Sequence, residues 1–189
     1  MTNQIKSMPP GARESIPPRL TTLQIGRMGE LLVQYELLRH GIDSAPITTD
    51  AGIDLVAYSG VEGRSFTIQV KTNLAPKPGG GKGAPAIDWW VSEDCPAEFY
   101  AFVDLSTRRI WLLTKQDLIT SAQQRSGGRL HIYMYTVAGS ESLAYTRHGD
   151  ARFAEFLFEN RVSALFTTAS AKPNISTVNH GVNADSLDK

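Results

Sequence analysis

Cysteine is almost missing from this sequence: Cys95 stands alone among 189 residues. One thiol excludes an internal disulfide and a cysteine-built zinc site, and it fits a reducing compartment. An excess of charge of either sign is missing too. Nineteen Lys and Arg face nineteen Asp and Glu, a formal net charge of zero. A chain-wide basic surface for nucleic acid is therefore excluded, and only a local one remains open. No stretch approaches the roughly 18 apolar residues of a membrane span. Residues 1–19 are polar and broken by prolines, without the apolar run of a secretory signal. The expectation is a cytoplasmic protein with no membrane partner. His40, His131, His148 and His180 show no metal-ligand spacing. The Gly79-Gly80-Gly81 run lacks the Gly-Lys-Ser/Thr ending of a phosphate loop, which excludes a nucleotide hydrolase of that kind. Neither Cys95 nor any serine has a recognisable base partner for nucleophilic catalysis.

What is present, 41% hydrophobic and 20% charged residues, suits one globular domain with unpacked ends. Residues 1–20, with four prolines at 9, 10, 17 and 18, read as a flexible arm. Residues 21–166 read as the domain, and residues 167–189, rich in Ser, Asn, Ala and Lys, as a disordered tail. Thr21 and Gln24 have capping-box spacing and Gly41 sits at a C-terminal cap, which predicts a helix over 22–40. One apolar stripe of that helix is Met28, Leu31, Leu32, Tyr35 and Leu38. Leu23, Gly26, Val33 and Leu37 form a second on the opposite side, which predicts cover on both faces. Glu30 lies in the second stripe, so it should be partly buried and in need of a partner. Strands are expected over 42–49, at an edge because of Pro46, and over 53–58 and 65–72 as a hairpin. Residues 73–86 read as a mobile loop. A second hairpin (99–105 and 109–113), a short helix (115–124), a strand (130–137) and an amphipathic closing helix (152–165) complete an α/β layer arrangement around a central mixed β-sheet flanked by helices.

In the strand over 65–72, Ile68 and Val70 face one way and Gln69 and Lys71 the other, about 7 Å apart. The neighbouring strand brings Asp54 onto the Gln69–Lys71 face. A carboxylate, an amide oxygen and an ammonium on one patch suit Mg²⁺, a hard ion that takes oxygen ligands and keeps waters for phosphates. A lysine beside such an ion orients water or stabilises charge developing on a phosphate.

On these residues the chain resembles the PD-(D/E)XK nuclease superfamily, with its restriction-endonuclease-like fold. The matching positions are Glu30 on the first helix, Gly52-Ile53-Asp54 opening the second strand, and Gln69-Val70-Lys71 on the third. The strand pair Phe99–Leu105 and Arg109–Leu113 follows as it does in many members, so the likeness covers roughly residues 22–120. The resemblance implies a Mg²⁺-dependent DNA endonuclease, with Mn²⁺ as a substitute ion, that works as a homodimer. It implies catalytic roles for Glu30, Asp54, Gln69 and Lys71. The metal would be held by Asp54 and the Val70 carbonyl, with Glu30 assisting directly or through water. Gln69 is a departure, because the commonest pattern has Glu or Asp there. Glutamine occurs in branches such as Mrr-type restriction enzymes and certain homing endonucleases, and it removes one negative charge from the site.

Arg64, Lys77 and Lys82 form a local basic set for DNA phosphates, against the alternative of a solvated loop. Trp89 and Trp90 read as core side chains at a strand entry, with base stacking as the other role open to them. Three further alternatives stay open: Glu30 paired with Arg27 or Arg64, a catalytically weak nuclease-fold DNA-binding module, and a protein-interaction domain in which Glu30, Asp54 and Lys71 form a structural ion network.

Overall fold

The computed structural model describes residues 19–48, 52–60, 63–79, 83–136 and 149–163. Helix α1 (Thr22–Arg39) starts at the expected capping box. The Thr21 hydroxyl accepts the Gln24 N–H at 3.2 Å, and the Thr21 N–H donates to Gln24 Oε1 at 2.8 Å. Gly41, at φ 72°, then turns the chain into β1 (Ile42–Pro46). Pro46 ends that strand, which is an edge strand as expected. β2 (Leu55–Ser59) and β3 (Arg64–Asn73) form the predicted antiparallel hairpin. β6 (Phe99–Asp104) and β7 (Arg109–Thr114) form the second. These strands make a five-stranded mixed sheet, β1-β2-β3-β6-β7, in which β3 and β6 are parallel.

A parallel pair needs a long crossover, and the crossover corrects two expectations. Residues 73–86, read as a mobile loop, instead carry β4 (Lys77–Pro78) and the start of β5 (Pro85–Ser92). The two strands are antiparallel, and the Gly79 N–H donates to the Ala84 carbonyl at 2.9 Å between them. Trp89 and Trp90 therefore lie within β5 rather than at a strand entry. With β8 (Gln124–Ser126) and β9 (Arg129–Tyr135) these strands build a second sheet, β4-β5-β9-β8. Helix α2 (Lys115–Ser121) joins β7 to this sheet, again from a capping box, formed by Thr114 and Asp117.

The expected closing helix over 152–165 is a 3₁₀ segment (Asp150–Phe156) followed by α3 (Phe158–Arg161). Phe153 and Phe156 are both buried, and i,i+3 spacing eclipses on a three-residue turn. Leu157 is drawn into a bridge with Trp111 at φ −54°, ψ 140°, which breaks the helix there.

The domain has layers on both faces of the main sheet. On one face, Val33 and Leu37 of α1 and Phe158 and Val162 of the closing segment pack on Leu55, Ile68, Val70, Ala101, Ile110 and Leu112. On the other, Tyr100, Phe102, Trp111 and Leu113 pack on Ile87, Trp89, Val91, Leu130, Ile132 and Met134 of the second sheet. The Trp89 and Phe102 rings stack at 4.8 Å, so Trp89 is a core side chain as read.

Helix α1 departs from its expected two-sided cover. Gly29, Val33 and Leu37 are buried, whereas Leu23 is 83% exposed, and Met28, Leu31, Tyr35 and Leu38 are 42–63% exposed. A helix laid on one sheet covers one face, and among the described residues nothing packs on the other. The exposed positions follow each other at spacings of three and four, opposite Val33, which is the seam of a helix that pairs.

Candidate active site

β3 extends beyond β2. The last antiparallel pair is Leu55↔Ile68, and one further step of that register sets Asp54 across from Gln69. The ladder continues there, with the Asp54 N–H donating to the Ile68 carbonyl at 3.0 Å. Cross-strand partners leave the sheet on the same face, so Asp54, Gln69 and Lys71 share one. The Asp54 carboxylate accepts the Val70 N–H at 2.6 Å through Oδ2. The N–H and C=O of one strand residue point the same way, so the Val70 carbonyl also opens onto this edge.

Gln69 is buried, with 6% exposure, and its Oε1 has no hydrogen-bond partner. Leaving such an oxygen unpaired costs about 1–3 kcal/mol, which a bound cation removes. The donors on this edge are one carboxylate, one buried amide oxygen and one main-chain carbonyl. All are hard oxygens of the kind Mg²⁺ takes, so the residues fit such an ion. Among the described residues no group of three or more His, Cys, Asp or Glu side chains converges on a metal position. The set here is accordingly low in charge. Lys71 is partly buried on the same face, and no described hydrogen bond or ion pair engages its ammonium. A structural Asp54–Lys71 ion pair is not formed.

The turn before Asp54 is braced by residues to which sequence reading assigned no role. The Cys95 thiol donates to the Gly52 carbonyl at 3.1 Å. The Cys95 carbonyl in turn accepts the Tyr100 hydroxyl and the Lys115 ammonium, both at 3.2 Å. Burial, and then its contact with Cys95, pushes the Tyr100 phenol well above the ordinary tyrosine range, so it stays a neutral donor. Tyr100 is also the β6 neighbour of Gln69. The chain separation between Gly52 and Cys95 hides this brace from any local pattern.

Glu30 is partly buried, as expected, and its partner is Arg27 at 2.7 Å, one of the alternatives left open. Helix α1 covers the face of β3 that carries Ile68 and Val70, whereas Gln69 and Lys71 point to the opposite face. Any contact of Glu30 with the patch runs past the β3 edge that β2 leaves open.

The basic set is dispersed. Arg64 is ion-paired with Glu98 at 3.1 Å and lies five strand positions from Gln69, about 16 Å away. Lys77 is exposed on β4, and Lys82 lies outside the described residues. Trp90 is on the solvent side of β5, its ring stacked on His131 at 4.1 Å. That second surface was missed in the sequence, although the strict alternation of Arg129, His131, Tyr133 and Tyr135 with Leu130, Ile132 and Met134 signals a two-faced strand.

Neither a protein-family model nor a curated protein matches the chain by sequence. Among solved structures, it is similar to a bacterial homing endonuclease, I-Ssp6803I, at 13% identity. That match covers 81% of this chain and 99% of the other, with a TM-score of 0.53. It is also similar to Hjc, a Holliday junction resolvase from Archaeoglobus fulgidus, at 18% identity, covering 57% of this chain and 82% of the other, with a TM-score of 0.40. The first of these likenesses, at a TM-score above one half, makes the fold restriction-endonuclease-like, as expected. Among the described residues no helix is long and apolar enough to cross a membrane.

Proposed function

We propose that this protein is a metal-dependent DNA endonuclease that hydrolyses phosphodiester bonds at the Asp54–Gln69–Val70–Lys71 edge, with Mg²⁺ or, in its place, Mn²⁺. The observation that carries the reading is the buried, unpartnered Oε1 of Gln69, the residue that the β2–β3 register sets across from Asp54, on a nuclease fold. Asp54, the Val70 carbonyl and Gln69 would hold the ion. A bound ion of this kind lowers the pKa of a coordinated water and neutralises phosphate charge. Lys71, with no ion pair among the described residues, is available to orient the attacking water and to stabilise charge on the phosphate. Glu30 serves through water, from its pair with Arg27. DNA as substrate is supported by the likeness to a homing endonuclease, with Lys77, Arg64 and Lys82 as phosphate contacts. The lone, buried Cys95 thiol suits a cytoplasmic setting.

The test is incubation of supercoiled and linear DNA with Mg²⁺, Mn²⁺ or a chelator. Metal-dependent nicking or linearisation is expected, and its absence under every condition would sink the catalytic reading. The neutral charge of Gln69 favours a second reading, a nuclease-fold module that binds DNA without cutting it, and DNA binding without cleavage is its signature. Replacing Gln69 by Glu restores the missing charge, and Mg²⁺ affinity should rise roughly tenfold, since affinity follows ligand charge. Calorimetric titration reads this directly, and an unchanged affinity would remove Gln69 from the ligand set.

Two active sites are needed to cut both strands, and we propose a two-fold dimer. The exposed Met28–Leu31–Tyr35–Leu38 stripe of α1 supports it, being apolar and self-complementary in an isologous pairing. Sedimentation should show a dimer for the native chain. Leu31→Glu combined with Tyr35→Glu should give folded monomers whose melting temperature no longer depends on protein concentration, and a native chain that is monomeric at tens of micromolar would exclude this interface.

A further inference from the structure

The second sheet turns one face to the core and the other to solvent. On its open face stand Trp90 and, along β9, His131, Tyr133 and Tyr135. Their rings run in a row: Trp90 on His131 at 4.1 Å and 3°, His131 to Tyr133 at 5.6 Å, and Tyr133 edge-on to Tyr135 at 5.8 Å and 79°. The Arg129 guanidinium caps the outer side of Trp90 at 5.6 Å. At the other end of the row, β4 and Gly79 close a groove of about 380 Å³. Gly79 keeps that end open, because a Cβ would press on it, 3.3 Å from the Tyr135 ring and 3.2 Å from the Ala84 carbonyl.

The groove is lined by Lys77, Asp88, Gln124, His131, Tyr133 and Tyr135, among others. It is a shaped site with its ring positions set. His131 Nε2 lies 3.1 Å from Asp88 Oδ2, and its Nδ1 lies 3.3 Å from Gln124 Oε1, so the imidazole is held from both sides. Burial, and then the neighbouring Tyr135, raises the Tyr133 phenol above its ordinary value, which keeps it neutral.

We propose that this groove binds one unpaired nucleobase of a DNA strand. The volume lies at the small end of ligand sites and suits a single nucleoside. Aromatic rings take the face of a base without regard to sequence. The Asp88 carboxylate and the Gln124 amide offer partners for the polar edge of a base, and the exposed Lys77 ammonium takes the attached phosphate. An aliphatic ligand would leave the Lys77 ammonium unanswered. A base inside a duplex cannot present its face, so the base must be flipped or single-stranded. The groove is also joined to the proposed cleavage edge. The Asn73 side-chain amide, two residues past Lys71 on β3, donates to the Asp88 carbonyl at 2.7 Å. A strand crossing Lys71 is thus within a few nucleotides of the groove.

The proposal rests on the DNA-processing reading above for the identity of the ligand, so the test separates the two. Full-length protein is titrated, in chelator and by fluorescence anisotropy, with three probes: a single-stranded oligodeoxynucleotide, the same backbone made abasic, and a duplex. Native protein should bind the base-bearing strand about tenfold more tightly than the abasic one. Tyr135→Ala and Tyr133→Ala should each remove most of that preference while leaving duplex and abasic binding within about twofold, and Tyr135→Phe should retain it. Lys77→Ala should weaken all three probes and flatten the salt dependence by about one charge. Equal binding of base-bearing and abasic strands by native protein overturns the groove proposal and leaves the nuclease reading standing. So does an equal loss for all probes in the tyrosine variants. Failure of native protein to bind any of the three probes overturns both.

Discussion

Asp54→Asn should lower metal-dependent DNA cleavage by at least about 100-fold, the scale of losing one electrostatic element of a preorganised site, with little change in stability. Asp54 is the single carboxylate among the three donors at the β3 edge, so its loss leaves Gln69 Oε1 and the Val70 carbonyl to hold a dication without any formal charge. Asparagine keeps the shape, and its Oδ1 accepts the Val70 N–H where the aspartate does at 2.6 Å. The join between the Asp54 turn and β3 therefore survives, which alanine would not allow. Lys71→Met is the companion variant. No described ion pair engages Lys71, so its charge is dispensable to the fold, and the melting temperature should stay within about 2 °C while cleavage falls by a similar factor. Cleavage of supercoiled DNA and a thermal melt on each variant read both quantities. Full activity in Asp54→Asn would mean that hydrolysis occurs elsewhere on the protein.

The largest expected effect on stability is at Gly29. At this glycine α1 lies directly against β3, and a Cβ there would sit 1.9 Å from Thr72 Oγ1 and 2.9 Å from both Thr72 Cβ and Cγ2. A χ1 rotation of Thr72 does not relieve the contact, because threonine branches at Cβ and its Cβ is itself too close. The helix must lift away from β3, which opens the packing of Val33 and Leu37 on Ile68 and Val70. Gly29→Ala should thus cost about 1–3 kcal/mol despite the better helix propensity of alanine. That corresponds to a fall in melting temperature of roughly 3–8 °C. Gly29→Leu should prevent folding. Gly26 is the control on the same helix, with nothing within 4 Å of its would-be Cβ. Gly26→Ala should stabilise by up to about 1 kcal/mol. A stabilising Gly29→Ala would show that α1 sits farther from β3 than the geometry here places it.

Patterns with a local cause were legible in the sequence. The Thr21–Gln24 box and Gly41 bound α1 because capping is settled within a few residues. The β2–β3 and β6–β7 hairpins followed from apolar runs around short turns, and period-two alternation placed Ile68 and Val70 opposite Gln69 and Lys71. Asp54 and Gln69 could be set face to face for the same reason, since the register of a hairpin is a local quantity.

What needed contacts between distant residues was decided only by the tertiary structure. The parallel β3–β6 pair requires a crossover, and the segment between, rich in glycine and proline, has no strong strand pattern until β9 arrives to pair with β5. The second sheet and its aromatic groove depend on that arrival, and the Cys95–Gly52 brace joins residues 43 positions apart. The face of α1 that is buried was also undetermined, because both of its stripes are apolar and only the sheet chooses between them. The partner of Glu30 was also left open, and the structure pairs it with Arg27, one helical turn away. Local hydrogen bonding and side-chain alternation are carried by neighbours along the chain, whereas the partner of a face is selected by whichever distant element buries the most apolar surface against it.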